Sequence, residues 1–483
     1  MTETSPKQGE SAPAGEKDQP QSEAIQVYNL YQTADKIYTR SLPGFFRNLR
    51  RWTWIPLLAA YLILPWLQIN GRQAVWFDLP ERQFHVFWVT FWPQDFMLLA
   101  WLLIIAAFTL FAVTTLVGRV WCGFTCPQTV WTMLFMGAEE IFEGDRHKRI
   151  RRDKGPWNFD KIWRKSATKT SWFLIAFVTG FTFVAYFTPA RQLIIDFFTF
   201  SAHPAAYFWV LFFTGMTFMN AGFLREQVCM YMCPYSRFQS VMYDADTLVV
   251  SYDVARGEPR GARKRKGDAA GAGREGMGDC IDCHLCVHVC PVGIDIRDGL
   301  QYECISCGLC IDACDSVMEK MDYPKRLISF TTETNLKKGA TKTRLLRPRL
   351  IGYALAVMLM ATAFTWTMMS RVPLSVEVIR DRNVLFREVE YGLVENVYTL
   401  RIANMDQAAH DYVIDVTGDL NVTLHGETEV SLEEGEVLTA VVRLRIDPGE
   451  LPQPTNDIAF VVTSTDGTLV REASSRFIGP RVY

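Results

Sequence analysis

The sequence of 483 residues lacks an excess of either charge, since its formal net charge is −2 at pH 7. Proteins that bind nucleic acid usually carry a strong basic excess, so this balance argues against such a partner. Cysteine is absent from the first 121 residues and from everything after Cys314, which excludes a disulfide framework in the C-terminal third. No G-x-G-x-x-G motif follows a predicted strand, so the sequence indicates no dinucleotide site.

The N-terminal segment, residues 1–25, has almost no apolar residues and is rich in Glu, Gln, Ser, Pro and Gly. This composition predicts a disordered tail. The segment has neither the charged start nor the apolar centre of a secretory signal peptide. We therefore expect the first membrane helix to act as its own insertion signal.

Apolar residues make up 49% of the chain and are collected in blocks. A helix needs about 20 mostly apolar residues to cross a bilayer. The blocks predict an α-helical membrane domain with about five spans, formed by residues 26–250 and 345–370. The predicted spans are Trp54–Ile69, Phe96–Val117, Ser171–Phe187, Ala205–Gly222 and Leu350–Met369.

Lysine and arginine are concentrated in alternate loops of this predicted topology. They precede the first span, separate the second from the third, and precede the fifth, whereas the opposite loops hold only Arg72, Arg82 and Arg191. Because short cytoplasmic loops carry an excess of these residues, the N-terminus is predicted to be cytosolic. An odd number of spans then places the C-terminus outside. All 12 cysteines fall on the cytosolic side, in the reducing compartment that metal-binding thiolates require.

Two further regions differ from the apolar blocks in composition. Residues 254–278 are rich in Gly and Arg, which predicts a flexible linker. Over residues 375–483 apolar and polar residues alternate, so that Tyr398, Leu400 and Ile402 share one face of a predicted strand. About seven short strands of this kind predict an immunoglobulin-like β-sandwich.

The most specific motif is CIDCHLCVHVCP followed by CISCGLCIDACD. Eight thiols at these spacings exceed a single zinc site, which takes four ligands. The pattern resembles that of bacterial two-cluster ferredoxins, in which each 4Fe-4S cluster takes three cysteines from one run and the fourth from the other. Residues 279–330 are therefore expected to form a ferredoxin domain. The resemblance assigns Cys280, Cys283, Cys286 and Cys314 to one cluster, and Cys304, Cys307, Cys310 and Cys290 to the second.

A second motif, C-x-x-x-C-P, occurs as CGFTCP and again as CMYMCP, each time just after an apolar block. Residues i and i+4 share one face of a helix, so Cys122 is expected to point the same way as Cys126, and Cys229 the same way as Cys233. If the two repeats face each other, they form a group of four thiols. Soft thiolates suit Cu(I), but a reversible disulfide and a third iron–sulfur cluster are also open. The alternative is a set of small buried cysteines that bind nothing.

The combination of spans, paired C-x-x-x-C-P motifs, inserted two-cluster ferredoxin and C-terminal sandwich resembles the CcoG/FixG/RdxA family, which are accessory proteins of cbb3-type cytochrome c oxidase. The resemblance runs from about Val27 to the terminal FIGP. It implies a multi-pass cupric reductase of the bacterial inner membrane with a periplasmic C-terminal domain. Electrons from two 4Fe-4S clusters would reduce Cu(II) to Cu(I) for assembly of the oxidase. The implied catalytic and copper-binding residues are Cys122, Cys126, Cys229 and Cys233.

Several points stay open at the level of the sequence. One alternative function is a membrane electron-transfer ferredoxin that serves another redox partner, and another is a scaffold for oxidase assembly. The resemblance implies oxidase subunits or a copper chaperone as partners, but no motif identifies the electron donor. The sequence also does not decide whether a flavin or haem is bound, or whether the protein forms a homodimer.

Overall fold

The computed structural model describes residues 36–480, except residues 70, 263–275, 339–345, 382, 383, 407 and 419. The predicted N-terminal tail lies outside the described residues, as does the middle of the predicted linker. The beginning of that linker is described, and its first four residues form a helical turn.

Helices predominate up to residue 369, where the sequence has its long apolar blocks. The described helices are α1 (Phe45–Ile63), α2 (Phe96–Val117), α3 (Val120–Phe124), α4 (Pro127–Glu143), α5 (Arg146–Lys154), α6 (Phe159–Val184), α7 (Ala190–Phe198), α8 (Pro204–Met219), α9 (Pro234–Met242), α10 (Val254–Gly257), α11 (Leu285–His288), α12 (Leu309–Met321), α13 (Glu333–Lys338) and α14 (Pro348–Met369).

Four of the described helices are long and apolar enough to cross a membrane: α2, α6, α8 together with the turn that extends it to Leu224, and α14. They overlap the last four predicted spans. Helix α6 begins at Phe159, before the predicted Ser171, because its first turns are polar and continue the helix beyond the apolar block. The chain is therefore an integral membrane protein.

The first predicted span does not meet the same criteria of length and composition. Its apolar block lies in α1, which carries three arginines in its first half and ends at Ile63. Helix α1 nevertheless packs beside α6, where the Tyr61 hydroxyl donates a hydrogen bond of 2.8 Å to the carbonyl of Thr179. Four of the five predicted spans thus coincide with long apolar helices, and α1, which contains the first predicted span, packs alongside them.

Helices α2 and α14 lie side by side in opposite directions. Arg347, just before α14, donates to the carbonyl of Thr115 near the end of α2. Arg371, just after α14, pairs with Asp95 immediately before α2. The cysteine-rich insert before α14 and the β-domain after it therefore lie at opposite ends of the membrane helices.

Small strand pairs flank the membrane helices. The loop after α1 forms one two-stranded and one three-stranded antiparallel sheet, and a further antiparallel pair brings together the two ends of the cysteine-rich insert. The strands are β1 (Gln68–Ile69), β2 (Arg72–Gln73), β3 (Val75–Asp78), β4 (Gln83–Val86), β5 (Val89–Phe91), β6 (Val249–Tyr252) and β7 (Ile328–Thr331), with β6 paired to β7.

The C-terminal region is a sandwich of two antiparallel sheets, as the alternating pattern predicts. One sheet has the order β12-β14-β10-β8 with β9 beside β10, and the other has the order β13-β11-β15-β16. Tyr398, Leu400 and Ile402 are fully buried in the core between the sheets. The strands are β8 (Leu374–Arg380), β9 (Arg387–Glu388), β10 (Val394–Asn404), β11 (His410–Gly418), β12 (Thr423–Gly426), β13 (Glu429–Leu432), β14 (Val437–Ile446), β15 (Thr455–Ser464) and β16 (Val470–Ile478).

Asp312 attaches the cysteine-rich insert to α1. Its carboxylate accepts hydrogen bonds from the backbone N–H groups of Phe46, at 3.1 Å, and Arg47, at 2.9 Å. These groups belong to the first turn of α1 and have no partner within the helix, so the aspartate caps it from a different domain. A Cβ atom on Gly44 would lie 2.2 Å from the carboxyl carbon of Asp312, so only glycine fits there.

Replacing Asp312 with alanine removes both acceptors from the start of α1. We expect the free energy of unfolding to fall by about 1 kcal/mol, the usual cost of losing a helix cap. Asp312→Asn keeps one side-chain oxygen and should lose less, and Asp298→Ala, at an exposed position, should be close to neutral. Thermal unfolding of the three purified variants measures the difference, and equal melting temperatures for all three would contradict the cap.

Candidate metal centres

Two cavities in the insert are each surrounded by four cysteines. Each has about 360 Å³ of space that protein atoms do not fill, part of it open to solvent. The cysteines are combined as the ferredoxin resemblance implies. Three cysteines of each cavity come from one run, and the fourth comes from the other run. The first cavity is lined by Cys280, Cys283, Cys286 and Cys314, and the second by Cys290, Cys304, Cys307 and Cys310, with Cys286 also on its wall.

The donor set fits iron–sulfur clusters. Within the described ranges, no three His, Cys, Asp or Glu side chains are placed to hold a single metal ion. Four thiols arranged around a cavity are what a 4Fe-4S cluster requires. Burial raises the pKa of the Cys286 thiol to about 11 and that of Cys314 to about 12, so bound metal is needed to keep these groups ionised. Ligation by these residues stays a prediction.

The backbone turns in the same way around both cavities. Asp282 and His284 flank Cys283 with positive φ angles of 53° and 54°, and Ser306 and Gly308 flank Cys307 with angles of 51° and 74°. These left-handed residues curl each run so that its closely spaced thiols face inward. The two runs are thus structural repeats as well as sequence repeats.

Arg297 is a buried residue beside the first cavity that sequence reasoning missed. Its guanidinium forms ion pairs with Asp282, at 2.5 Å, and Asp295, at 2.6 Å, and lies 2.8 Å from Nδ1 of His284. It holds the first run in place and engages the ring of His284. A single arginine between the two cysteine runs gives no sequence signal for this role.

A third cavity is lined by the cysteines of both C-x-x-x-C-P motifs, Cys122, Cys126, Cys229 and Cys233. It has about 940 Å³ of space that protein atoms do not fill, part of it open to solvent. We call it the thiol cavity. The two repeats therefore do face each other across this cavity, although no three of the four described thiols are placed close enough to hold a single metal ion in this arrangement.

The path of the chain within each motif differs from the expected continuous helix. Cys122 lies in α3, whereas Cys126 is the residue before α4, which begins at Pro127. Cys229 lies in a short π-helical turn, and Cys233 immediately precedes α9. Each proline starts a new helix, since proline fits the first helical position. The expectation of one shared helical face was therefore wrong, although both members of each pair reach the same cavity.

The thiols of this cavity are largely shielded from water. Burial, together with the smaller effect of the neighbouring Cys126, raises the pKa of Cys122 to about 12 and that of Cys229 to about 11. Without metal the thiols of Cys122 and Cys229 are therefore neutral at physiological pH. A soft metal ion that displaces the protons is what converts such groups to thiolates.

Gly123 allows the thiol cavity to lie directly against the insert. A Cβ atom at this position would be 2.6 Å from the carbonyl oxygen of Ile305 and 3.1 Å from the backbone nitrogen of Cys307. Cys122 packs against the same loop and against Val292. Val292 and Ile305 line both the thiol cavity and the second ferredoxin cavity, so the two candidate centres share a wall.

Arg119 joins three parts of this site and was also missed from sequence. It is only 4% exposed, and its guanidinium donates to the carbonyls of Tyr302 in the insert and Ser236 in the second repeat. Arg225 precedes the second motif and pairs with Glu139 at 2.6 Å. An arginine three or four residues before each motif was the available signal.

Family models match three parts of the chain. Residues 224–333 match a 4Fe-4S dicluster domain, and residues 99–139, which include the first C-x-x-x-C-P motif, match a 4Fe-4S binding domain. Residues 364–480 match an Ig-like fold at the C-terminus of FixG. These matches support the ferredoxin insert and the C-terminal sandwich independently of the geometry.

Full-length relatives decide the family. Protein RdxB of Cereibacter sphaeroides is 40% identical over 431 residues, which cover 86% of this chain and 89% of the relative. Nitrogen fixation protein FixG of Rhizobium meliloti is 39% identical over 411 residues, or 78% of each chain. The chain belongs to the CcoG/FixG/RdxA family. A crystal structure of a FixG-related protein from Vibrio parahaemolyticus matches 22% of this chain and 95% of that one, with 41% identity and a TM-score of 0.21.

Family membership confirms the predicted architecture. The protein combines an α-helical membrane domain, an inserted two-cluster ferredoxin domain and a C-terminal immunoglobulin-like sandwich. It is an iron–sulfur redox protein of the membrane, and its chemistry is electron transfer.

Gly123→Ala tests the contact between the thiol cavity and the insert. The added methyl group collides with the carbonyl of Ile305, so the loop must move, and we expect a loss of about 1–3 kcal/mol in stability, as for other overpacked sites. Gly215→Ala is the matched control, because that glycine is also helical but has no atom within 4 Å of the added methyl. Thermal unfolding followed by cluster absorbance compares the two, and equal stability of the variants would contradict the close contact.

Proposed function

We propose that the protein is a cupric reductase that uses two 4Fe-4S clusters to convert Cu(II) to Cu(I). The observation that supports this most is the wall shared by the thiol cavity and the second ferredoxin cavity, formed by Val292 and Ile305. Electron transfer is favoured when donor and acceptor lie close together. Copper is the substrate, and the thiol cavity is its proposed binding site.

When bound, the two clusters supply single electrons, and one electron converts Cu(II) to Cu(I). The four thiols offer soft ligands, which stabilise Cu(I) relative to Cu(II) and so favour the reduction. The thioether of Met230 lines the same cavity and adds a further soft donor. Arg119 and Gly123 hold the cavity against the insert.

The proposed orientation places the clusters on the cytosolic side of a bacterial inner membrane. It is supported by the basic residues at that end of the helices, above all α5 with its sequence RHKRIRRDK. The sandwich, at the opposite end, is then periplasmic. The proposed recipients of Cu(I) are subunits of a cbb3-type cytochrome c oxidase or a copper chaperone.

Replacing Cys122, Cys126, Cys229 and Cys233 together with serine tests the copper site. We expect Cu(II) reduction by the chemically reduced protein to be lost, because hydroxyls are poor ligands for Cu(I). The visible absorbance of the two clusters should persist. Cys290→Ser is the control of the same chemical type, and it should diminish the cluster absorbance. Unchanged copper reduction in the quadruple variant would contradict the proposal that the thiol cavity binds the copper.

A second candidate function is electron transfer to another redox protein, with a further 4Fe-4S cluster at the four thiols instead of copper. The match of residues 99–139 to a 4Fe-4S binding domain favours this alternative, because these residues include Cys122 and Cys126. Four cysteines around one cavity also satisfy the ligand count of such a cluster.

Metal analysis of protein purified without air separates the two candidates. The copper function predicts about eight irons per chain, four for each cluster, and the alternative predicts about twelve. In the quadruple serine variant the iron content should stay near eight in the first case and fall by about four in the second. EPR of the fully reduced protein checks the count, since each one-electron-reduced cluster contributes one unpaired spin to the integrated intensity. Twelve irons that fall to eight would exclude copper as the ligand of the thiol cavity.

A further inference from the structure

A second large cavity lies away from the thiols, between α1, α4 and the ferredoxin insert. It has about 1910 Å³ of space that protein atoms do not fill, part of it open to solvent. Its floor includes Pro291 and Leu309, each adjacent in sequence to a cysteine of the second ferredoxin cavity. Ser171 and Ile175 of α6 also line it, so the cavity reaches the apolar part of that membrane helix.

The cavity combines positive charge with apolar walls. Five arginines line it, against the two carboxylates of Glu140 and Asp145. Much of the remaining wall is apolar and includes Trp54, Leu134 and Ile141. The arginines are Arg40, Arg47, Arg50, Arg51 and Arg149.

Arg50 is the most informative of these residues. It is 1% exposed, and its Nε and Nη2 have no hydrogen-bond partner among the described residues. Cys290 and Cys307 lie close enough to interact electrostatically with the Arg50 guanidinium, but neither thiol accepts a hydrogen bond from its Nε or Nη2. A buried guanidinium with unfilled donors is costly, so the site requires an acceptor.

Other donors around the cavity are unfilled in the same way. The indole Nε1 of Trp54 and the Nε of Arg149 are buried without a partner in the described part of the chain. The rest of the Arg149 guanidinium is engaged by Glu139, at 2.8 Å, and by the carbonyl of Thr39. All these unfilled groups are donors, so the missing ligand is rich in acceptors and negatively charged.

The geometry points to an acidic phospholipid as the ligand of this cavity. Its phosphate would lie against Arg50 and Arg47, because arginine pairs with phosphate through parallel hydrogen bonds. Its acyl chains would lie along Trp54, Leu134 and Ile175, towards the apolar part of α6. Basic pockets between membrane helices are suited to anionic lipid head groups, and the apolar walls favour a lipid over a free anion.

The test measures lipid bound to the purified full-length holoprotein by native mass spectrometry. Phosphatidylglycerol, phosphatidylcholine and inorganic phosphate are each added to delipidated protein in detergent. We expect one phosphatidylglycerol to be retained about tenfold more strongly than phosphatidylcholine, because the choline cation neutralises the phosphate charge and is repelled by the arginines. Arg50→Gln should remove most of this preference.

Arg151→Gln is the matched control, because it makes the same charge change at an exposed position in α5 outside the cavity. Cluster absorbance reports whether each variant is folded, and Arg47→Gln replaces Arg50→Gln if the latter does not fold. Equal retention of the two lipids, or equal effects of the Arg50 and Arg151 substitutions, would overturn the proposal. If millimolar inorganic phosphate displaced phosphatidylglycerol completely, a free anion and not a lipid would be the ligand of the cavity.

Discussion

The contact between Gly123 and the Ile305 carbonyl is the constraint on which the functional arrangement depends. Only a residue without a side chain lets the first C-x-x-x-C-P segment rest on the loop that carries Cys307. Arg119 holds the same junction by hydrogen bonds, and Asp312 holds the insert from another side through the start of α1. One steric contact and two sets of hydrogen bonds thus hold the insert, with its nearer ferredoxin cavity, against the membrane helices.

The junction between membrane helices and insert is unusually rich in buried arginine. Arg119 and Arg297 have acceptors supplied by the chain, so their burial is compensated. Arg50 differs, because part of its donor capacity is unfilled. The arginines with acceptors hold the domains together, whereas the free N–H groups of Arg50 require an acceptor from a bound ligand.

Sequence patterns predicted those features that depend on neighbours along the chain. The spans of α2 and α14 follow from uninterrupted apolar blocks, and the strand containing Tyr398 follows from strict alternation. Helix α1 is less apolar over its length than the other four, because its apolar block shares one helix with three arginines. The facing of the two C-x-x-x-C-P repeats was stated as a condition, and the structure meets it. The start of α4 at Pro127 fits the known preference of proline, but the end of α3 before the second cysteine of the first motif was not predicted. The contacts of Gly123, Arg119 and Arg50 join residues far apart in sequence, and no local pattern reports them.

The antiparallel pair β6–β7 has a consequence for how such a protein can arise. It places the entry and exit of the cysteine-rich insert side by side, next to the Asp244–Arg347 ion pair that links the flanking helical segments. A domain whose ends meet in this way can enter a host chain without rerouting it. A single genetic fusion event is therefore sufficient to equip an existing bundle with a soluble electron carrier, and subsequent selection needs only to refine the surface between them.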